Sequence, residues 1–221
     1  MYKYAVIVAG GAGTRMGGEV PKQFQLLKDK PVLWFTLSAF IDAYDDVQII
    51  LVLPENHVER GRLIAREFPA HRIRIATGGE TRFHSVRNGL QLVDTHSLVF
   101  VHDGVRCLVT PHLIRRCGEA ALEKGNAIPS VAAIESIRIQ TGEDNAPIDR
   151  DRVRVIQTPQ TFFSNVIKQA FEQPYEESFT DEARVVEKMG HRIHLIEGER
   201  INIKITTPID LVVAEKILEK R

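Results

Sequence analysis

The chain has 221 residues, 43% of them hydrophobic and 26% charged, which excludes disordered, collagen-like and low-complexity classes. Lys and Arg number 29 and Asp and Glu 29, for a formal net charge of zero. That argues against a chain that coats nucleic acid, which needs a strongly basic surface, so any anion site must be a local arrangement of positive groups.

The length suits one domain over residues 1–221, large enough to bury a core without disulfides or a structural metal. No apolar run approaches the roughly 18 residues of a membrane helix, and the first apolar stretch breaks into glycines too early for a signal peptide. Cys107 and Cys117 fit no metal spacing and read as free thiols in a reducing compartment. A cytoplasmic protein with no membrane or nucleic-acid partner is expected.

In chain order, residues 4–8, 47–53, 73–76 and 98–101 are short, rich in β-branched residues and mostly non-alternating, as strands covered on both faces are. Between them, 31–43, 55–68 and 81–93 have helical spacing. In the last of these, Phe83, Val86, Leu90 and Val93 share one face, and Thr81, Ser85 and Asn88 another. Repeated β-α units predict an α/β fold, a doubly wound and mostly parallel sheet that binds ligands beyond the carboxyl ends of its strands. Residues 135–157 break the rhythm. Alternation over 136–140 and 152–155, with a polar turn-rich stretch between, predicts a two-stranded arm. Such a hairpin is marginal alone, so packing on a second copy, and hence a dimer, is expected. Helices follow at 164–172 and at 180–189, the latter capped by Thr180, then a strand at 191–197. A last helix has Thr207 as cap, Pro208 at its first position and Asp210 at its third.

The glycine-rich run Ala9-Gly10-Gly11-Ala12-Gly13-Thr14-Arg15 follows the first strand directly, and Pro21-Lys22-Gln23 comes soon after. Such a run lets successive N–H groups turn inward on an anion, and Arg15 and Lys22 add full charges, which suits a triphosphate. It lacks the Gly-Lys-Ser/Thr ending of the mononucleotide loop, and its glycine spacing fails the dinucleotide fingerprint, which disfavours a nicotinamide-dependent oxidoreductase. His102-Asp103-Gly104-Val105-Arg106 ends a predicted strand, where an acid can hold Mg²⁺ against phosphates and Arg106 can clamp one. Gly78-Gly79-Glu80-Thr81 turns into a helix whose polar first turn can read a base or ribose. The eight histidines are scattered, and no zinc site or nucleophile–base pair stands out.

Taken in order, AGGAGTRMG, PKQF, GGETRFHSV, HDGVR, DRDRVRVIQTPQ, FTDEA and NIKITTP resemble the 2-C-methyl-D-erythritol 4-phosphate cytidylyltransferases nearly end to end. The resemblance implies a Rossmann-like nucleotidyltransferase fold that moves a cytidylyl group from CTP to methylerythritol phosphate with release of pyrophosphate. It implies that Ala9, Gly10, Gly11, Gly13 and Thr14 wrap the CTP phosphates, and that Gly79, Glu80 and Ser85 read cytosine and ribose. Arg15 and Lys22 would stabilise the transition state, Lys204 would contact the phosphates near the metal, and Asp103 would bind Mg²⁺. Arg106 and Thr180 would line the polyol phosphate pocket, and Ser136 and Arg150 of the arm would reach a partner's site in a homodimer. Two departures stand out: Cys107 replaces a usual Pro, and Ser136 a frequent Thr. Ribitol 5-phosphate cytidylyltransferases resemble the chain in their loops, but Ser85-Val86 and Thr180-Asp181-Glu182-Ala183 favour methylerythritol phosphate. A non-catalytic nucleotide-binding protein on the same fold is the further alternative, and it would bind CTP without releasing pyrophosphate.

Overall fold

Strand β1 (Tyr2–Val8) sends Ala5 and Ile7 to one face of a sheet and Tyr4 and Val6 to the other, all buried. A strand with both faces covered has no polar side to alternate with, which is why its sequence is a continuous apolar run. The computed structural model describes residues 1–10, 20–94 and 96–220. After β1 come a short pair, β2 (Leu26–Leu27) and β3 (Lys30–Pro31), then α1 (Val32–Ala43), β4 (Val47–Leu53), α2 (Val58–Ala65), β5 (Ile73–Thr77), α3 (Arg82–Leu90) and β6 (Ser97–Asp103). The second half holds α4 (Pro111–Lys124), β7 (Asn126–Ala132), β8 (Ile137–Thr141), β9 (Asp144–Ile148), β10 (Arg154–Ile156), β11 (Gln160–Phe163), α5 (Ser164–Ala170), α6 (Glu182–Lys188), β12 (Leu195–Glu197) and α7 (Pro208–Leu218).

The main sheet has eight strands, in the order β10-β7-β11-β6-β1-β4-β5 with β12 also on β7. The β6-β1-β4-β5 half is parallel, and β11 runs antiparallel between β6 and β7. This is the expected doubly wound α/β architecture. One apolar layer joins Ile7, Leu51 and Phe100 to α1 and α4. The opposite layer joins Val6, Val52 and Val99 to Val86 of α3, Ile167 of α5 and Val186 of α6. A smaller cluster, with Leu27, Val105, Leu108 and Ile205, sits under α7. Cys107 is buried in it, and neither cysteine is bridged. Among the described residues no helix is long and apolar enough to cross a membrane.

The arm differs from expectation. β8 pairs with β9, inside the stretch read as turn, through a two-residue connection whose Gly142 has φ +62°. The predicted second arm strand belongs instead to the main sheet: Arg154, Val155 and Ile156 pair with Ala132, Val131 and Ser130 of β7. The alternation there was real, but it serves a distant partner. β10 and β11 lie on the same side of β7 and are interrupted at residues 157–159. The strand expected at 191–197 is hydrogen-bonded as a strand only over Leu195–Glu197. Thr180 does not cap α6. Asp181 does, its carboxylate accepting from the Arg184 N–H at 3.0 Å, because an acid one residue later satisfies the open amides better at the positive end of the helix. The cap on α7 is as expected: Thr207 and Asp210 form a reciprocal capping box with Pro208 inside it.

Candidate active site

The chain leaves β1 for β4 on one side and later returns as β6 on the other, so β1 and β6 flank the switch in strand order. Their register sets Val8 opposite Asp103. Beyond these carboxyl ends lies the crevice where open α/β sheets bind ligands. The Gly104 N–H donates to Val8 O at 2.9 Å, and the Gly78 N–H to Leu53 O at 2.7 Å, which fixes the loops after β6 and β5 at the rim. The Gln23 side chain donates to Ala9 O at 2.8 Å and ties the Lys22–Phe24 turn to the end of β1.

These loops enclose a cavity of about 300 Å³ lined by Ala9, Gly10, Lys22, Gly79, Glu80, Arg82, Ser85, Asp103 and Lys204, among others. Gly79 is required there, since a Cβ would lie 2.5 Å from that of His84. The Gly79 N–H donates to Ser85 Oγ at 3.1 Å, so the hydroxyl also holds the glycine turn in place. A second cavity of about 200 Å³ is lined by Arg106, Gln157, Thr158, Thr180 and Asp181. Arg82, Asp103 and Lys204 are common to both walls.

Asp103 is the electrostatic centre. Its Oδ1 accepts from Arg82 Nε at 3.1 Å, and its Oδ2 lies 2.9 Å from Lys204 Nζ and 3.5 Å from Arg106 Nε. Burial alone would raise the Asp103 carboxyl, but Arg82, Lys204 and Arg106 together drive it well below the ordinary carboxylate range. Arg106 is turned inward, with Nη1 donating to Asn202 O at 2.9 Å. Its neighbour His102 is fully buried. Arg106 O can only accept from Nε2, at 3.3 Å, so Nδ1 accepts from the Thr158 hydroxyl, at 2.9 Å. Thr158 Oγ1 in turn accepts the Asp103 N–H at 3.1 Å.

Burial pushes the His102 imidazole down to about 3. The folded protein therefore leaves it neutral at pH values where an unfolded chain, with an ordinary value of 6.5, takes up a proton. Its share of stability is complete above pH 6.5 and is lost as pH falls from there toward 3, reaching about 2 kcal/mol at pH 5. His102→Gln is expected to be less stable than wild type at pH 7.5 in urea denaturation, with that gap narrowing by about 2 kcal/mol at pH 5. A gap independent of pH would refute the assignment.

Of the residues named from sequence, Ala9, Gly10, Lys22, Gly79, Glu80, Ser85, Asp103 and Lys204 meet in the first cavity, and Arg106 and Thr180 in the second. Gly11, Gly13, Thr14 and Arg15 lie outside the described residues. Ser136 and Arg150 line neither cavity; both are exposed near the arm, where Arg150 donates to Ile134 O at 2.9 Å. Sequence reasoning missed Arg82, Glu182 and Gln23. Arg82 could have been found, because it is three residues before Ser85 and so on the same helical face. A buried acid such as Glu182 gives no such signal.

A sequence profile described as "IspD: 2-C-methyl-D-erythritol 4-phosphate cytidylyltransferase" matches residues 3–220. The chain belongs to the IspD family. A 2-C-methyl-D-erythritol 4-phosphate cytidylyltransferase of Bacteroides fragilis is 46% identical over 220 residues, 99% of this chain and 100% of that protein. One of Rubrobacter xylanophilus is 42% identical over 98% of this chain and 95% of its own length. Among solved structures, the 4-diphosphocytidyl-2C-methyl-D-erythritol synthase of Anaerococcus prevotii superposes with a TM-score of 0.85 at 27% identity, covering 99% of this chain and 98% of that one. That synthase thus shares this chain's fold over nearly its whole length.

Proposed function

We propose that the chain transfers the cytidylyl group of CTP to 2-C-methyl-D-erythritol 4-phosphate, giving 4-diphosphocytidyl-2-C-methyl-D-erythritol and pyrophosphate in isoprenoid precursor synthesis. IspD membership supports the reaction, and the single structural observation that carries it is the pair of cavities sharing Arg82, Asp103 and Lys204. Two cavities joined at a cationic wall suit two phosphate-bearing reactants that must meet. The triphosphate would occupy the glycine-lined cavity and the polyol phosphate the one with Arg106 and Thr180.

The attacking phosphate oxygen is already ionised, so the step needs little help from a general base. Catalysis then rests on alignment and on cations placed where charge builds up on the α-phosphate. Lys22 and Lys204 supply such charge within the described residues, and the glycine turn at Gly79 with Glu80 supplies contacts for the nucleoside. Asp103, an ionised hard oxygen donor, fits Mg²⁺, which is held by one or two carboxylates together with substrate phosphates. Bound there, Mg²⁺ would neutralise charge on the phosphates. A homodimer joined through the arm accords with the exposed apolar side chains Ile134, Ile139 and Val155 in and beside it.

The test is to incubate the protein with CTP, Mg²⁺ and either methylerythritol phosphate or ribitol 5-phosphate and to measure pyrophosphate. Release with methylerythritol phosphate alone is expected. Release only with ribitol phosphate would reassign the acceptor, and none with either would refute the activity.

A further inference from the structure

Glu182 is almost wholly inaccessible, its side chain 1% exposed. Arg82 meets it with both terminal nitrogens, Nη1 on Oε1 and Nη2 on Oε2, the latter at 3.1 Å. Taking a carboxylate out of water is costly, and a forked arginine pairing is the arrangement that best offsets it. A buried ion pair is weak evidence for stability, however, so its presence calls for another reason. Arg82 gives one, because its third nitrogen braces Asp103 and the residue stands in the wall common to both cavities. The anchor behind Glu182 is firm. Gln160 of β11 accepts the Ala183 N–H at 2.8 Å and donates to Asp181 at 3.0 Å, which pins the start of α6 to the sheet. Position is therefore passed from β11 to Glu182, from Glu182 to Arg82, and from Arg82 to Asp103.

We infer that Glu182 is a positioning residue for cytidylyl transfer, holding Arg82 in one orientation so that the guanidinium fixes Asp103 where the two substrates meet. The inference rests on the reaction proposed above. Loss of the Glu182 charge frees Arg82 to turn toward Asp103 or the phosphates, so alignment suffers while the groups that bind CTP stay in place.

A double-mutant cycle with Glu182→Gln and Arg82→Gln tests this, with kcat normalised to folded protein. Glu182→Gln is expected to lower kcat by about 10- to 100-fold and to leave the KM for each substrate within about threefold, the scale of a small misalignment. On the Arg82→Gln background the same change should cost no further kcat. There it should raise Tm, because it removes a buried carboxylate left without its cation. Additive losses in kcat, or an unchanged kcat in Glu182→Gln, would overturn the inference. Should Glu182→Gln not fold, Glu182→Asp takes its place in the cycle. It keeps the charge but draws it back by one methylene, and the same loss of kcat confined to the Arg82-containing background is expected. Wild-type protein that releases no pyrophosphate from CTP and methylerythritol phosphate would instead refute the reaction, before any variant is compared.

Discussion

Lys22→Ala is expected to lower kcat by on the order of 100- to 1,000-fold while the KM for CTP rises less than about tenfold. Lys22 lies in the wall of the larger cavity and is 9% exposed. Its turn is held by the Gln23 bond to Ala9 O, by the Phe24 N–H donating to Pro21 O at 2.8 Å and by burial of Phe24. An ammonium fixed in a recess interacts more strongly with charge than it would in water, and it needs no reorientation as charge develops. In the proposed reaction CTP would also meet Lys204 in the same cavity, so binding should survive the loss better than turnover does. Steady-state kinetics at saturating substrates decides the matter: an unchanged kcat would remove Lys22 from the chemistry.

Asp103→Asn should be more damaging to the fold. Arg82, Arg106 and Lys204 would then face Glu182 as the one remaining carboxylate among these five groups. Stripping one partner from a buried charge cluster costs roughly 3 kcal/mol, the lower end applying because Lys204 keeps contact with water. Activity should fall below detection with it, through loss of the brace and of the oxygen donor. The sign with pH follows from the depressed Asp103 value. Its contribution is present above the ordinary value of 3.8 and is lost as pH falls below that, so the gap between variant and wild type should hold steady from pH 8 to 5. Pyrophosphate should raise the Tm of Asp103→Asn more than that of wild type, since the anion would meet an uncompensated cationic cluster. Equal shifts in the two proteins would argue that the cluster is not the anion site.

Much of this was legible in the chain because the informative signals are local. β1, β4 and β6 announce themselves as apolar runs because both of their faces are covered, and Thr207, Pro208 and Asp210 spell out a helix start. β5, read in the same way, is instead an edge strand and leaves Arg74 and Thr77 exposed. Gly10 and Lys22, singled out in the sequence after β1, stand together in the wall of the larger cavity. What escaped depends on distant partners. β9 has the composition of a loop because its side chains are nearly all exposed, and only pairing with β8 makes it a strand. β10 alternates like an arm strand, yet its partner lies more than twenty residues earlier in β7. Helix α4 and strand β7 are absent from the sequence expectations, although Thr110, Pro111 and Gly125, at φ +92°, punctuate α4 plainly. Arg82 and Glu182 lie 100 residues apart, and the meaning of either depends on the other.

The wall common to the two cavities also bears on inhibition. Donor and acceptor phosphates abutting there would draw on the same counter-ions, so a tethered mimic of both reactants gains little from carrying two anionic groups at the junction. A single central anion, flanked by a nucleoside arm and a short hydroxylated arm, would match the available charge with less mutual repulsion.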